Sequence, residues 1–110
     1  MIYYSVINLR TGQSLACSVV WASTYFQRMK GLIGRPAINN HEGLYIPHCG
    51  SVHTFFMKFA IDLVFLDSKK IVKKIVSCLP PYRFAFGALG TSGTLELACN
   101  TIEEASCRVG

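Results

Sequence analysis

The fold of this chain is decided by one stretch, His53-Thr-Phe-Phe-Met-Lys-Phe-Ala-Ile-Asp-Leu-Val-Phe-Leu-Asp67. The stretch is almost wholly apolar, yet it begins with a histidine and carries Asp62 inside its densest hydrophobic run. Its second half, Ile61 to Leu66, has the length and the residue types of a buried β-strand. A carboxylate that lies so deep in a core needs a polar partner. The stretch therefore predicts both the centre of the fold and a buried polar site.

The size and composition indicate one compact domain. A chain of 110 residues has room for one domain and not for two. Because 51% of the residues are hydrophobic and only 15% are charged, the composition excludes disorder and predicts a substantial core. The net charge of +5 is modest, so it permits an anionic partner without requiring one.

The cysteine content favours a reducing compartment. The five cysteines are an odd number and form no CxxC pair, whereas a secreted disulfide framework normally has an even number. The first residues, Met-Ile-Tyr-Tyr-Ser, lack the features of a signal peptide. We therefore expect a cytoplasmic protein with free thiols. The longest apolar stretch contains Lys58 and Asp62 and is too short to span a bilayer.

The hydrophobic pattern predicts a mainly β fold. Two short helices are expected, at Thr24–Lys30 and Thr101–Ser106, and the glycine-rich segment Phe84–Gly93 is expected to be a loop. Few helices and many short strands are typical of a small β-sandwich or a partly open barrel. The predicted strands are Ile2–Leu9, Leu15–Ala22, Gly43–Pro47, Val52–Phe56, Ile61–Leu66, Ile71–Val76 and Thr94–Cys99.

Five short motifs occur in a characteristic order. They are Gly31-Leu-Ile-Gly-Arg35, His53-Thr-Phe-Phe-Met57, Ile61-Asp62 leading into Val64-Phe-Leu-Asp67, Leu79-Pro-Pro-Tyr-Arg83 and Leu95-Glu-Leu97. In this order the chain resembles the domain of unknown function 192 family, also called uncharacterised protein family 0127, from about Cys17 to Gly110. The resemblance implies a compact, mostly β domain and no established activity.

The chain departs from that family at three places. Family members commonly have proline at the position of Ala60 and glycine in the turn at Lys69-Lys70. They also continue beyond the final Val-Gly with another apolar strand. If that strand is missing, a C-terminal β-edge is left open, and an open edge can pair with a protein partner or with a second copy in a homodimer.

A thiol hydrolase is one possible activity. Cys49, His53 and Asp62 fall within fourteen residues and are the types that make up a nucleophile, a base and an orienting group. A carboxylate pair, Asp62 with Glu96, would be a second catalytic arrangement. The structural interpretation is that the cysteine packs as a small apolar residue and the carboxylates pair with arginine.

Metal and nucleic-acid sites have weaker sequence support. Three histidines and Cys49 lie between His41 and His53, but their spacing does not match a zinc motif. Lysines cluster at Lys69–Lys74 with Tyr82 and Arg83 beyond, and a solvated hairpin edge is the simpler explanation. We therefore predict no metal and no cofactor, and nucleic acid is disfavoured as a partner.

The favoured hypothesis is a non-catalytic module that binds a small polar ligand or a protein partner. Loops at the open end of a small β fold are common binding sites. The predicted ligand-binding residues are polar or charged side chains next to apolar strands, and an enzyme is the less favoured alternative. These residues are Arg35, His53, Thr54, Asp62 and Glu96.

Overall fold

The computed structural model describes residues 3–22, 36–55, 57–105 and 108–110. Within these ranges the chain forms eight strands and one short helix. The strands are β1 (Tyr3–Ile7), β2 (Ser14–Trp21), β3 (Glu42–Pro47), β4 (Ser51–His53), β5 (Ile61–Leu66), β6 (Val72–Leu79), β7 (Phe84–Phe86) and β8 (Gly93–Ala98), and the helix is α1 (Thr101–Glu104).

The strands form one large sheet and one small sheet, and neither closes on itself. The large sheet has the order β1-β2-β3-β8-β5-β6. Its neighbours are antiparallel except for β2 and β3, which are parallel. The small sheet pairs β4 with β7 antiparallel. The last strand, β8, therefore lies in the middle of the large sheet, and β1 and β6 form its edges.

The large sheet has an apolar cluster on each face. Helix α1 contributes Ile102 to the cluster on one face, which also includes Leu95 and Leu97 of β8. On the opposite face, Ile61, Leu63 and Phe65 of β5 pack with residues of the small sheet. This second cluster is completed by Val52, Met57 and Ala85. The architecture is consequently a small open sandwich in which β5 and β8 separate the two halves of the core.

The prediction of a mainly β fold is confirmed, and the sandwich alternative describes it better than the barrel. Strand β5 begins and ends where its apolar run predicted, and the strand predicted at Ile71–Val76 is observed as the irregular strand β6, from Val72 to Leu79. Two assignments differ from the structure. Phe84–Phe86 forms strand β7 and not a loop, and the segment predicted to be extended at Val52–Phe56 is a strand only as far as His53, in β4. The predicted helix at Thr24–Lys30 lies outside the described residues.

The prediction of free thiols is wrong for two of the cysteines. Cys78 and Cys99 form a disulfide with a Cα–Cα distance of 4.8 Å. Their strands meet there because Ile61, the first residue of β5, pairs with β6 on one side and with β8 on the other. Of the other described cysteines, Cys17 is exposed and Cys49 is half-buried, and both are free. Among the described residues, no helix has the length and apolar character to cross a membrane.

Candidate functional site

Asp62 holds together two backbone segments inside the core. Its carboxylate is fully buried on β5 and accepts a hydrogen bond from the Cys78 N–H at 2.8 Å through Oδ1. Oδ2 accepts a second one from the Ile102 N–H at 3.0 Å. Cys78 has φ 47°, which marks a bulge in β6, and Ile102 lies in the first turn of α1. Asp62 therefore takes the place of a helix cap for α1 and accepts the N–H group at the bulge of β6. Among the described residues its partners are backbone groups and not arginine.

Thr54 has a similar structural role at the end of β4. Its fully buried hydroxyl donates to the carbonyl of Pro80 at 2.6 Å and accepts from the N–H of Arg83 at 2.9 Å. The Thr54 N–H donates to the Arg83 carbonyl at 2.9 Å, and the Thr54 carbonyl accepts from the Tyr82 N–H at 2.9 Å. These bonds fix the proline-containing connection before β7, so the direction in which β7 presents its side chains is fixed as well.

Glu96 is a buried carboxyl that has no hydrogen bond or ion pair with any described residue. It lies at the centre of β8, is 5% exposed, and pairs with Leu44 on one side and Leu63 on the other. Burial raises the pKa of the carboxyl from 4.5 to about 7, because a charged form in apolar surroundings loses its hydration. Glu96 is therefore poised to change its protonation state near neutral pH.

The two buried carboxyls point to opposite faces of the large sheet. Asp62 pairs with Leu97, whereas Glu96 pairs with Leu63, and paired residues point to the same face while successive residues alternate. A carboxylate pair of the kind that glycosidases use therefore does not form between them. Arg35, the predicted partner of this group, lies outside the described residues. Among the four predicted ligand-binding residues that the structure describes, Asp62 and Glu96 therefore lie on opposite faces of the large sheet, and a shared ligand site stays a prediction.

Among the described residues, the Cys49 thiol does not contact the histidine predicted as its base. The Cys49 thiol donates to the Ser51 carbonyl at 2.9 Å, and no described hydrogen bond joins it to His53. His53 is exposed, and its ring contacts Phe55 and not a sulfur. Both oxygens of Asp62 are engaged by backbone groups, so this carboxylate does not orient the imidazole. The arrangement in the described residues thus lacks the contacts of a nucleophile–base–acid relay.

The described residues bring one set of potential metal ligands together, but their ligand atoms are already engaged. The carboxylate of Asp62 and the sulfurs of Cys78 and Cys99 lie within 4.8 Å of one another. Both sulfurs are consumed in the disulfide, and a metal requires thiolates. The three histidines and Cys49, which the sequence placed in one window, form no such group among the described residues.

One surface of the described residues carries a group of exposed and half-buried aromatic rings, which we call the aromatic platform. Alternation along the small sheet places Val52 and Ala85 in the core, so their neighbours in β4 and β7 point outward. Phe84 is 59% exposed and Phe86 63% exposed. The platform consists of His53, Phe55, Tyr82, Phe84 and Phe86.

The rings of the aromatic platform contact one another in series. Phe55 and Phe84 have ring centroids 4.8 Å apart in an edge-to-face arrangement. Phe84 and Phe86 are 6.3 Å apart, and their planes differ by only 12°. Tyr82 and His53 lie beside Phe55, with centroids at 6.2 Å and 5.3 Å. The result is a contiguous aromatic surface held on two hydrogen-bonded strands.

Basic groups border the aromatic platform. Lys74 Nζ donates to the Phe86 carbonyl at 2.7 Å, and the Arg83 guanidinium donates to the Tyr82 carbonyl at 3.2 Å. The sequence contains no Asp or Glu in residues 43–61 or in residues 68–95, the two segments that build the small sheet and its connections. The local charge at the aromatic platform is therefore positive.

The strand that carries Phe84 and Phe86 is difficult to recognise in the sequence. Phe84-Ala-Phe86 is followed by glycines at positions 87, 90 and 93, and this composition favoured a loop. The alternation of large, small and large residues was the signal for a short strand with one buried position. His53 was the one predicted site residue that the structure places on the aromatic platform.

Sequence comparison assigns the chain to a family. Residues 6–110 match the model of the DUF192 family, described as an uncharacterized ACR, and the chain belongs to this family. The resemblance found in the sequence motifs is thereby confirmed. A curated relative, a UPF0127 protein of Thermococcus sibiricus (strain DSM 12597 / MM 739), is 29% identical over 109 residues, which cover 96% of this chain and 70% of the relative.

Two solved structures share the fold. A candidate transcription regulator from Sinorhizobium meliloti 1021 superposes with a TM-score of 0.83 at 17% identity, covering 100% of this chain and 93% of that one. A protein of unknown function from Novosphingobium aromaticivorans DSM 12444 superposes with a TM-score of 0.77 at 17% identity, covering 96% and 89%. At this level of identity the likeness shows the fold alone.

Proposed function

We propose that this domain is a non-catalytic binding module and that the aromatic platform is its binding surface. The observation that carries the proposal is the contiguity of the exposed rings, with Phe84 and Phe86 each more than half exposed on adjacent positions of one strand face. Single exposed apolar residues are common, whereas a contiguous apolar patch marks an interaction site. Aromatic side chains also supply large contact areas at a low cost in conformational entropy.

The support beneath the rings favours recognition by a preformed surface. Val52 and Ala85 anchor the small sheet in the same cluster as Phe65 of β5. Thr54 binds the connection before β7 through four hydrogen bonds of its hydroxyl and backbone groups. A surface held in this way does not need to be ordered when a partner binds, and preorganisation improves affinity.

The alternative functions have less support from the geometry. The hydrolase hypothesis requires contacts that Cys49 and His53 do not make among the described residues. If the domain pairs through an open β-edge near the C-terminal residues, the candidate strand is β6, an edge of the large sheet. Its first residue, Val72, accepts a hydrogen bond from the Gly110 N–H at 3.0 Å. That strand carries exposed Lys73 and Lys74 and two register shifts, features that hinder edge pairing. A homodimer through this edge stays a prediction.

The cytoplasmic location is also still a prediction. Disulfides persist mainly in oxidising compartments, and Cys78–Cys99 is a disulfide in this structure. The redox state of these two cysteines in protein isolated under thiol-blocking conditions would therefore report on the compartment. A reduced pair would support the cytoplasm, and an oxidised pair would contradict it.

The proposed function can be tested by nuclear magnetic resonance with indole and benzoate as neutral and anionic aromatic probes. We expect chemical-shift changes at millimolar probe to be confined to amides of β4, β7 and the connection before β7. Phe84→Ser should remove these changes. The matched control is Tyr3→Ser on β1, because Tyr3 is also 59% exposed but lies at the far edge of the large sheet. Changes scattered over the surface, or equal loss in both variants, would contradict the proposal.

A further inference from the structure

We propose that the aromatic platform binds single-stranded nucleic acid, with bases stacked on its rings and phosphates held by the basic groups at its border. This inference rests on the proposed function and names the partner of that surface. The sequence alone disfavoured nucleic acid because the lysine cluster had a simpler explanation. The structure adds a second feature of nucleic-acid binders, which is a set of aromatic rings on a sheet next to positively charged side chains.

The rings have the properties that base stacking requires. Single-strand binders combine a positive surface with aromatic side chains on which successive bases stack, and this stacking tolerates any sequence because every base has a π-face. Phe84 and Phe86 project from the same face of β7 with nearly parallel planes, and Phe55 and Tyr82 extend the row. Phe84 and Phe86 therefore offer two exposed rings for stacking, and Phe55 and Tyr82 lie in contact beside them.

The distribution of charge favours a polyanion over an apolar protein surface. Residues 68–95 contain five basic side chains and no acidic one, and two of them, Lys74 and Arg83, contact the aromatic platform. The Lys70 Nζ lies instead over the rings of Trp21 and Tyr45. Of the six acidic residues in the chain, Asp62 and Glu96 are buried, and Glu103 and Glu104 belong to α1 on the other side of the large sheet. Asp67 lies in the turn after β5, beside Lys69 and Lys73, and Glu42 is the first residue of β3. The cores of protein interfaces are depleted of charge, whereas nucleic acid presents planar bases and phosphates together.

The same charge argues against a second copy of this chain as the occupant. Two aromatic platforms facing each other would bring Lys74 and Arg83 of both copies together at the interface. Like charges placed against each other oppose association. Duplex nucleic acid is also a poor fit, because its bases are already stacked and do not present their faces to a protein ring.

The test is fluorescence anisotropy with a labelled single-stranded oligonucleotide of about 12 nucleotides, within the site size of small nucleic-acid-binding domains. The same sequence as a duplex, and heparin as a polyanion without bases, are the comparison ligands. We expect tighter binding to the single strand than to either comparison ligand. Phe84→Ala should weaken binding by at least about fivefold, the lower end of the range for losing one stacking ring. Phe86→Ala provides an independent second variant at an equally exposed position.

The controls separate stacking from general charge. Tyr3→Ala removes a ring of the same 59% exposure as Phe84 at the far edge of the large sheet and should leave binding unchanged. Arg83→Gln should reduce the slope of log affinity against log salt by about 0.7, the value for one phosphate contact with a single strand. Arg10→Gln, in the turn between β1 and β2, is the matched loss of charge and should leave that slope unchanged.

Each outcome decides the inference. Equal affinity for the single strand, the duplex and heparin, or insensitivity to both phenylalanine variants, overturns it. If the oligonucleotide does not bind while indole or benzoate still perturbs the amides of β4 and β7, the nucleic-acid partner is wrong and the binding module stands. If neither the oligonucleotide nor the small probes perturb the aromatic platform, both proposals fail. Self-association that Phe84→Ala abolishes would identify a second copy as the occupant and would also overturn the inference.

Discussion

The buried carboxyl of Glu96 should make the stability of the fold depend on pH in a defined direction. Its pKa is about 7 in the folded protein, against an ordinary value of 4.5, because burial disfavours the charged form. Below pH 4.5 the carboxyl is protonated in both the folded and the unfolded state. As the pH rises from 4.5 to about 7, the unfolded chain releases the proton and the folded protein retains it. The free energy of unfolding therefore falls over this interval.

The magnitude follows from the same two pKa values. One pKa unit corresponds to about 1.4 kcal/mol, so the rise from 4.5 to about 7 costs the folded state about 3 kcal/mol at alkaline pH. Glu96→Gln replaces the carboxyl with an uncharged group of nearly the same shape. We expect this variant to gain about 3 kcal/mol in stability relative to the wild type between about pH 4.5 and about pH 8.

Urea unfolding of both proteins at the two pH values measures this difference, because the contributions of all other titrating groups cancel. The control is Glu104→Gln, which removes an exposed carboxylate from α1 and should give the same difference from wild type at both pH values. If the stability of Glu96→Gln relative to wild type changes by less than about 0.5 kcal/mol over this range, the carboxyl is hydrated or paired in solution, and its place in the core is wrong.

Three further predictions concern the core around β5 and β8. Asp62→Ala leaves two buried N–H groups without an acceptor and should lower the free energy of unfolding by about 2–5 kcal/mol in urea titrations. Asp67→Ala, which removes two such bonds in a solvent-accessible turn, should have a smaller effect, and equal losses would refute the reasoning. Reducing the disulfide should cost about 3 kcal/mol, given its sequence separation of 21, and a melting midpoint insensitive to reductant would contradict this. Gly93→Ala places a Cβ against the ring of a buried tyrosine of β3 and should cost about 1–3 kcal/mol, whereas Gly50→Ala enters open space and should be neutral; equal midpoints would mean that the ring moves aside.

Elements with a strong local pattern could be predicted from the sequence. Strand β5 was predicted at its observed bounds because its short, mostly apolar run has the length of a strand and is followed by turn residues from Asp67 onward. The need for Asp62 to have a partner was also predictable, because a buried carboxylate without one is costly. The identity of these partners was not predictable, because the N–H groups of Cys78 and Ile102 are 16 and 40 residues away from Asp62 in the chain. Such a site depends on how three strands and a helix meet.

The proposed binding surface was not predictable from the sequence, because a phenylalanine can lie either in the core or at the surface. Phenylalanine in a small apolar chain ordinarily indicates core, and Phe65 is in fact fully buried. Phe84 and Phe86 differ from it only because β7 belongs to a short sheet with one covered face. The strand was too short and too close to glycines for its periodicity to be recognised. Tertiary context thus decides which rings are core and which are surface.

The central position of β8 has a consequence for how the chain folds during synthesis. Strands β1 to β3 and the hairpin of β5 with β6 can form from the residues that leave the ribosome first, but their inner edges, β3 and β5, do not pair with each other. Both inner edges pair with β8, which emerges about 27 residues or more after them. Until then both half-sheets expose unpaired edges, which are the features that promote misassembly. Synthesis that pauses before residue 93 should therefore yield an intermediate that depends on chaperones.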